Sequence, residues 1–329
     1  MRRAPAALGV LLALAAGATG ADTGIEEALR AEIGHEPRIW QAVSSRYRIH
    51  LWSSESRQEA AGVPAPERLQ RILDSLEEAY RHAWGTCVAL SEPRPLIRVH
   101  VLGDVATLRR VMQRSGMRQP GFETGGFHLP GEGLLVVARE SLLERVLEAN
   151  LVHEAAHMLN RELLGGEAIS PWLNEGLAQM SMFSAIEEPG HVRLGRLDEG
   201  SRIRVPVEPS SPGGDDEVVY QFAPLRSVSY LFGQLSRDPG LSLGPMLRIR
   251  TAGDFYGARA QLYYAQSWTL LHLLMEGRLR KTGPMRPALC RYLALDREGH
   301  GGEAALLGAL GTTIEDLDSA WYRHLRKLR

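Results

Sequence analysis

Three short segments near the start of the chain have the apolar pattern of β-strands. Residues 47–52 and 97–101 place an apolar side chain at every second position, which is the spacing of a half-buried strand. Residues 134–138 are all apolar and follow a glycine, a pattern typical of a fully buried strand. We therefore predict three strands in this part of the chain.

Helical spacing separates these strands. Between residues 69 and 83, apolar side chains recur every three or four positions until Gly85, as they do along one face of a helix. Asp104 is placed to cap a second helix that continues to about Arg114. Strands that alternate with helices in this way predict a small N-terminal α/β lobe with a mixed sheet.

The second part of the chain has mainly helical patterns. Ser141 and Glu144 form a capping box that begins a long helix, predicted to end at Gly165. Ser170 then precedes Pro171, which favours the first position of another helix. Further helices are predicted at residues 262–279, 286–295 and 313–327, the last with a capping box of Thr312 and Glu315.

The composition of one segment between these helices predicts a loop. Residues 206–217 are rich in Pro, Gly, Ser and acidic residues, which are typical of turns. A solvated surface excursion is favoured over a lid beside a cleft.

The first 21 residues have the layout of a secretory signal peptide. Two arginines precede an apolar run at residues 6–18, and small residues follow it. The run is shorter than the roughly 20 apolar residues that span a bilayer, so cleavage is favoured over a membrane anchor. We therefore predict an exported protein, periplasmic or extracellular, without stable membrane insertion once residues 1–21 are removed. Cys87 and Cys290 could then form a disulfide, although two separate buried thiols are an equally simple interpretation.

Composition and charge narrow the class of partner. Of the 329 residues, 44% are hydrophobic and 23% are charged, which excludes disordered, collagen-like and coiled-coil chains. The 38 Lys and Arg residues nearly balance the 39 Asp and Glu residues, so no long-range field attracts polyanions. We therefore expect no nucleic-acid partner; the oligomeric state is not readable from the sequence.

The strongest chemical pattern is His153-Glu154-Ala155-Ala156-His157, within the long predicted helix. Four residues advance a helix by about 400°, so the two imidazoles lie one turn apart on one face and can bind one metal ion. Glu154 lies on a flanking row, where it can reach a water on that ion without binding the metal itself. The alternative interpretation is a pair of core histidines with satisfied hydrogen bonds.

Glu175 is the candidate for a third ligand. A catalytic zinc site typically has three protein ligands and one open position. Glu175 lies in the second turn of the next predicted helix, with Ser170 as its cap, and eighteen positions after His157. That separation suits two antiparallel helices joined by a short loop, although the helix dipole alone also favours a carboxylate near a helix N-terminus. Together the residues predict a site for one Zn²⁺ with His153, His157 and Glu175 as ligands.

These residues carry a family resemblance. The His-Glu-Ala-Ala-His motif, followed by Pro-Trp-Leu-Asn-Glu-Gly-Leu-Ala at residues 171–178, resembles the gluzincin metallopeptidases. The Trp-Leu-Asn-Glu-Gly stretch is closely similar to that of the membrane alanyl aminopeptidase family. The plan of the chain from about residue 45 is more similar still to bacterial peptidase-MA-like domains.

The patterns and the resemblance together predict an α+β fold. A small α/β lobe at residues 22–140 is followed by a mostly helical zincin-type lobe at residues 141–329, and the two form one catalytic unit. The resemblance implies the three zinc ligands already named and Glu154 as the general base. In such peptidases the sheet edge beside the active-site helix pairs with an extended substrate. We therefore expect the N-terminal lobe, whose strand at residues 134–138 directly precedes the active-site helix, to supply the upper wall of the cleft.

The sequence also departs from these families at two places. The aminopeptidases carry a Gly-Ala-Met-Glu-Asn segment that anchors the free amine of the substrate, and the matching region from Gly125 to His128 lacks it. This weakly favours an endopeptidase. Thermolysin-like members have an Asp four residues after the Glu ligand, where this chain has Gln179, so the groups that orient the ligands are weaker or come from elsewhere.

The predicted reaction is metal-assisted hydrolysis of peptide bonds in a peptide or protein substrate. Glu154 would take a proton from the attacking water and transfer it to the leaving amine. Tyr264 is the candidate donor to the developing oxyanion, with Tyr263 as a rival and core packing as the alternative role. Of the other histidines, His272 could lie near the site, in the core or on the surface, and His128 and His191 are expected on the surface.

Two other classes of function fit the sequence. One is a catalytically inactive envelope binding or scaffold protein with a structural zinc, and the other is a zinc amidase acting on non-protein amides such as cell-wall peptides. Glu154 favours an enzyme, since a structural site has no use for a base beside an open coordination position. The physiological substrate and the cleavage preference are not readable from the sequence.

Overall fold

The computed structural model describes residues 21–43, 45–52, 65–92, 96–116, 125–129, 132–139, 144–165, 169–197, 202–206, 217–221, 224–279 and 283–328. These residues belong to two compact units. The first comprises the chain up to Glu167 together with Glu187–Val192, and the second comprises Ala168–Ile186 and Arg193–Arg329.

The first unit is built on a five-stranded sheet of order β1-β2-β3-β5-β4. Its strands are β1 (Arg38–Trp40), β2 (Tyr47–Trp52), β3 (Ile97–Leu102), β4 (Gly126–Leu129) and β5 (Leu134–Ala138). Strands β2, β3 and β5 are parallel, whereas β1 and β4 pair antiparallel at the two edges. The prediction of a mixed sheet with these three central strands is therefore confirmed.

Four helices pack on this sheet: α1 (Ala21–Ile33), α2 (Pro66–Trp84), α3 (Val105–Arg114) and α4 (Glu144–Leu164). Successive side chains of a strand point to opposite faces, and Trp52, Leu102 and Val136 face α1 and α3 in one apolar cluster. Helices α2 and α4 contact each other and the other face of the sheet. As predicted, Asp104 caps α3, accepting a hydrogen bond from the backbone N–H of Thr107 at 2.7 Å.

The second unit is mainly helical. It contains α5 (Pro171–Met182), α6 (Pro224–Arg237), α7 (Gly244–Leu247), α8 (Ala252–Phe255), α9 (Ala260–Glu276), α10 (Arg286–Arg297), α11 (Glu303–Leu310) and α12 (Ile314–Leu328). Helix α9 lies at its centre and contacts α5, α6, α10 and α12. Because α9 is surrounded by other helices, apolar side chains occupy most of its positions rather than one stripe.

Six short strands also follow α5 in the chain. They are β6 (Ser184–Glu187), β7 (His191–Leu197), β8 (Arg202–Pro206), β9 (Glu217–Gln221), β10 (Arg278–Leu279) and β11 (Gly283–Pro284). Strands β8 and β9 pair antiparallel, and so do β10 and β11. The sequence analysis predicted a mostly helical lobe here and did not identify any of these strands.

Two helix ends also differ from their predictions. Helix α9 ends at Glu276 rather than at residue 279, because Gly277 leaves the helical conformation and β10 begins. Helix α12 is capped by Thr313, whose hydroxyl accepts a hydrogen bond from the backbone N–H of Asp316 at 3.3 Å, and not by Thr312. A hydroxyl one residue further along is equally able to satisfy a free N–H of the first turn.

Some further predictions can be compared with the structure, whereas others concern residues that it does not describe. Residues 1–20 of the predicted signal peptide, Ser141 of the first capping box and residues 207–216 of the predicted loop are outside the described residues. Within the described part of the chain, no helix combines the length and apolar character needed to cross a bilayer. Neither Cys87 nor Cys290 is free, since both are disulfide-bonded. The chain is thus a mixed α/β protein with a small mixed sheet, consistent with the α+β class.

Candidate metal site

Helix α4 carries the His-Glu-Ala-Ala-His motif in a wholly buried segment. Every side chain from Val146 to Asn160 is buried, because α4 packs against both α2 and the sheet. His153, Glu154 and His157 are 2%, 1% and 1% exposed. Polar groups removed from water to this extent are costly unless they are bonded to other groups, so their arrangement requires an explanation.

The two motif histidines point their rings at a common position. Their Nε2 atoms lie 3.2 Å apart, and their rings meet edge-on with centroids 4.8 Å apart. Two ligand atoms held at about 2.1 Å from one tetrahedral ion lie about 3.4 Å apart. The separation of the two nitrogens therefore suits a shared metal ion.

His128 lies beside this pair, although the sequence analysis placed it on the surface. It is 2% exposed, and its Nδ1 lies 3.3 Å from Oε2 of Glu154. Its ring stacks on that of His157, with centroids 5.1 Å apart and planes 8° from parallel. Burial, and to a lesser extent the nearby His157 and Arg161, holds the pKa of His128 well below its ordinary value. His128 is therefore a buried histidine of the core rather than a surface residue.

Gly126 allows helix α4 to approach the sheet at Glu154. A Cβ added at Gly126 would lie 2.7 Å from the carbonyl oxygen of Val136 and 3.0 Å from Cγ of Glu154. These distances are too short for any side chain, since the backbone of Val136 cannot move aside. Because successive side chains of a strand alternate between its faces, Gly126 and His128 face α4, whereas Phe127 and Leu129 lie in the cluster on the other face.

Strand β5, which precedes α4 in the chain, is not at the edge of the sheet. It pairs with β3 on one side and β4 on the other, so its backbone groups are already used. The edge strand near α4 is β4, which contacts this helix. A four-residue strand preceded by glycines has too little pattern to be predicted from sequence.

Glu175 is held in the second unit by a tyrosine that the sequence analysis did not select. Its side chain is 0% exposed, and Tyr256 Oη donates a hydrogen bond to its Oε1 at 2.6 Å. Burial raises the pKa of Glu175 to about 8, while the bond from Tyr256 lowers it. A nearby cation would offset the cost of burying this carboxylate as an anion.

A buried polar network fixes the start of helix α5, which carries Glu175. Ser170 occupies the N-cap position, but its side chain does not cap the helix as predicted. Instead, its backbone N–H and its hydroxyl both donate to Oδ2 of Asp296, at 2.7 and 2.9 Å. Trp172 donates its indole N–H to the hydroxyl of Tyr292 at 3.1 Å. These bonds orient the first turn of α5 and therefore the residue one turn later.

Close packing fixes the same helix against α9. A Cβ added at Gly176 would lie 3.0 Å from the carbonyl oxygen of Ser267. Because the atom it would meet belongs to the backbone of α9, the contact cannot be relieved by a side-chain movement. Gly176, the residue that follows Glu175, thus lets α5 lie directly on α9.

His153, His157 and Glu175 form a buried cluster that could hold a metal ion. One ligand atom from each residue can be chosen so that the three atoms lie within 4.8 Å of one another. Among the residues that the structure describes, this is the one group of three such side chains that meets this condition. Two imidazole nitrogens and a carboxylate oxygen are donors that zinc commonly takes in catalytic sites.

The remaining predicted residues lie in different environments. Tyr264 and Tyr263 are 5% and 8% exposed, and both rings contact Phe255. His272 is half-buried, with its Nδ1 2.9 Å from Nε2 of His324 on α12. His191 is exposed, as expected. The structure thus places Tyr264 and Tyr263 in an aromatic cluster near Tyr256 and leaves the oxyanion donor a prediction.

No protein-family model matches the chain, and no curated protein is significantly similar to it. The site must therefore be interpreted from its own geometry and chemistry.

Proposed function

We propose that this protein is a zinc-dependent peptidase of the gluzincin type, in which His153, His157 and Glu175 bind one zinc ion. The observation that carries the proposal is the buried cluster formed by these three side chains. A general base is also available, because Glu154 lies next to His153 on α4 and is equally buried. A zinc kept only for structure would normally have four protein ligands, whereas this cluster offers three.

The donor set and its spacing fit zinc. The 3.2 Å separation of the two histidine Nε2 atoms is near the value for two ligands of one tetrahedral ion. The bond from Tyr256 fixes one carboxylate oxygen of Glu175, as partners of ligating carboxylates commonly do. Three ligands of this kind leave one position for a water or a substrate oxygen.

In the proposed mechanism, Glu154 is the group that moves the proton. A bound zinc ion would polarise the scissile carbonyl and lower the pKa of a coordinated water toward about 7. Glu154 accepts a proton from the attacking water at a carboxylate oxygen and then donates that proton to the leaving amine. The buried surroundings of Glu154 keep bulk water away from this oxygen.

Two tyrosines have distinct proposed roles. Tyr256 orients Glu175 through its hydroxyl, and this role follows directly from the contact. Tyr264 is proposed as the donor to the oxyanion that develops on the substrate. Its ring lies 6.1 Å from that of Tyr256, which places the two aromatic side chains in one cluster.

We further propose that the protein works outside the cytoplasm on peptides or proteins. The N-terminal pattern of two arginines, an apolar run and small residues supports export. The disulfide-bonded state of both cysteines also supports it, because disulfides persist mainly in oxidising compartments. The missing amine-anchoring segment favours cleavage within chains over removal of terminal residues.

Replacing the proposed base tests the function directly. In Glu154→Gln, we expect zinc to remain bound at the wild-type stoichiometry while kcat on a peptide library falls by about 10²- to 10⁴-fold, the usual contribution of a general base. Glu148→Gln is the matched control, because Glu148 is a buried carboxyl on the same helix that pairs with Arg68. Its kcat should stay near that of the wild type.

Either of two outcomes would reject the proposal. One is an unchanged kcat in Glu154→Gln at full zinc occupancy. The other is a zinc-loaded wild type that cleaves no member of the library, which would leave a binding protein as the better interpretation.

A further inference from the structure

Strand β4 directs one polar side chain toward helix α4. Phe127 and Leu129 belong to the apolar cluster with α1 and α3, so Gly126 and His128 face the opposite side, where α4 contacts the strand. Gly126 leaves the space that Glu154 fills, and His128 is the next residue along that face. The strand therefore brings an imidazole to the carboxylate of the motif.

Two contacts hold His128 in one orientation. Its ring lies nearly parallel to that of His157, 8° from coplanar, with centroids 5.1 Å apart. Its Nδ1 lies 3.3 Å from Oε2 of Glu154. Pairing with Leu135 fixes the backbone of His128 in the sheet. A side chain held in this way can in turn restrain the group that it contacts.

We propose that His128 is a positioning residue for Glu154: its Nδ1–H donates to Oε2 of the carboxylate and so restricts rotation of this group about its last bond. This role rests on the proposed function, in which Glu154 is the general base. A carboxylate accepts hydrogen bonds at both oxygens and can rotate about its last bond. The donor from β4 selects one rotational state, so the carboxylate that accepts the proton is held in a constant direction.

A packing role alone would be better served by another residue. An apolar ring such as Phe could stack on His157 without burying any polar atom, whereas a buried imidazole nitrogen is costly unless it is bonded. The carboxylate of Glu154 likewise needs a donor in this buried place. The imidazole of His128 supplies both the ring and the N–H. Substitutions at this position can separate these two contributions.

Two substitutions of His128 separate the ring from the donor. His128→Phe keeps a ring that can stack on His157 but has no N–H, and we expect kcat to fall by about 10- to 100-fold with KM nearly unchanged, as for other groups that orient a reacting side chain. His128→Asn loses the ring but places Nδ2 where histidine has Nδ1, and we expect it to recover most of the lost kcat.

The opposite order would overturn the positioning role. If His128→Phe had the kcat of the wild type while His128→Asn was impaired, the ring and not the donor would be the important part. A loss of zinc from His128→Phe would also overturn it, because the effect would then act through His157. Zinc content is therefore measured for each variant.

A measurement that needs no turnover tests the same contact. In protein labelled with ¹⁵N at histidine, NMR distinguishes the two neutral tautomers of each ring. We expect His128 to carry its proton on Nδ1, and this proton to exchange faster with solvent in Glu154→Ala, which removes the acceptor. A wild-type His128 protonated on Nε2 alone would overturn the proposal.

These outcomes also separate this inference from the proposed function. A zinc-loaded wild type without peptidase activity would refute the proposed function, and the positioning role with it. An active wild type, an inactive Glu154→Gln and a fully active His128→Phe would refute the positioning role only.

Discussion

The first unit contains two pairs of buried histidines that lie in different chemical surroundings. His153 and His157 lie one turn apart on α4, with their Nε2 atoms 3.2 Å from each other. His50 and His100 lie side by side on β2 and β3, with ring centroids 4.6 Å apart. All four are at most 7% exposed. Among the described residues, a third side chain that could bind a metal, Glu175, lies near the first pair but not near the second.

In the second pair, one ring nitrogen of His100 is already occupied by a neighbour. Trp52 donates its indole N–H to Nδ1 of His100 at 2.7 Å, so this nitrogen has no lone pair left for a metal. The other nitrogen, Nε2, lies 3.9 Å from Oε1 of Glu26, and that oxygen accepts a bond from Arg98 at 3.0 Å. Burial and proximity are therefore not sufficient for a metal site. A third donor residue, Glu175, distinguishes the pair on α4.

The largest expected difference between the pairs is in zinc affinity. In His153→Ala, which removes a proposed ligand, we expect zinc affinity to fall by more than about 100-fold, since even partners of ligands contribute about 10- to 100-fold. In His50→Asn, the affinity should stay at the wild-type value. Calorimetric titration of the metal-free proteins with zinc measures both. Equal effects of the two substitutions would contradict the distinction.

Breaking the bond that occupies His100 should affect stability instead. Trp52→Phe leaves the buried Nδ1 of His100 without its donor, which costs about 1–3 kcal/mol of the free energy of unfolding. Zinc affinity should not change, because Trp52 contacts His100 and is not one of the proposed zinc ligands. Urea unfolding at pH 7.5 in the presence and absence of zinc measures both quantities. If Trp52→Phe bound zinc more weakly but unfolded like the wild type, the two histidine pairs would not be independent of each other.

The sequence predicted the elements with regular spacing far better than the residues that surround the site. Helix α4 and its two histidines follow from a four-residue interval, which local geometry fixes. His128 comes from a four-residue strand whose orientation depends on pairing with β5, a contact that no periodic pattern records. Tyr256 follows the short helix α8 and bonds Glu175 across 81 positions of sequence. Partners of this kind are set by tertiary packing, so sequence patterns cannot identify them.

Removing the hydroxyl that orients Glu175 should have an intermediate effect. In Tyr256→Phe, we expect zinc affinity to fall by about 10-fold, because the carboxylate loses the bond that fixes one of its oxygens. Tyr263→Phe is the matched control in the same aromatic cluster and should bind zinc as the wild type does. The same calorimetric titration serves for both variants. A Tyr256→Phe affinity equal to that of the control would show that packing alone holds Glu175.

The smallest expected effect is on the pH dependence of stability. Burial, together with His50 and with Arg98 and Arg30, holds the pKa of His100 well below its ordinary value. As pH falls below about 6.5, the unfolded chain binds a proton that folded His100 does not, so the free energy of unfolding falls by up to about 1.4 kcal/mol per pH unit for this group. In His100→Asn, whose amide oxygen can still accept from Trp52, this contribution should disappear.

Unfolding curves at pH 7 and pH 5 give the comparison. The wild type should lose more stability than His100→Asn over this interval. Equal losses would show that His100 binds its proton equally well in both states.

The claim that one metal ion is bound by His153, His157 and Glu175 can be tested most directly by crystallography of the zinc-loaded protein, with anomalous data collected at the zinc absorption edge. We predict one strong anomalous peak within about 2.0–2.2 Å of both Nε2 atoms and a Glu175 oxygen. A peak elsewhere, or no peak in protein that has been saturated with zinc, would contradict it.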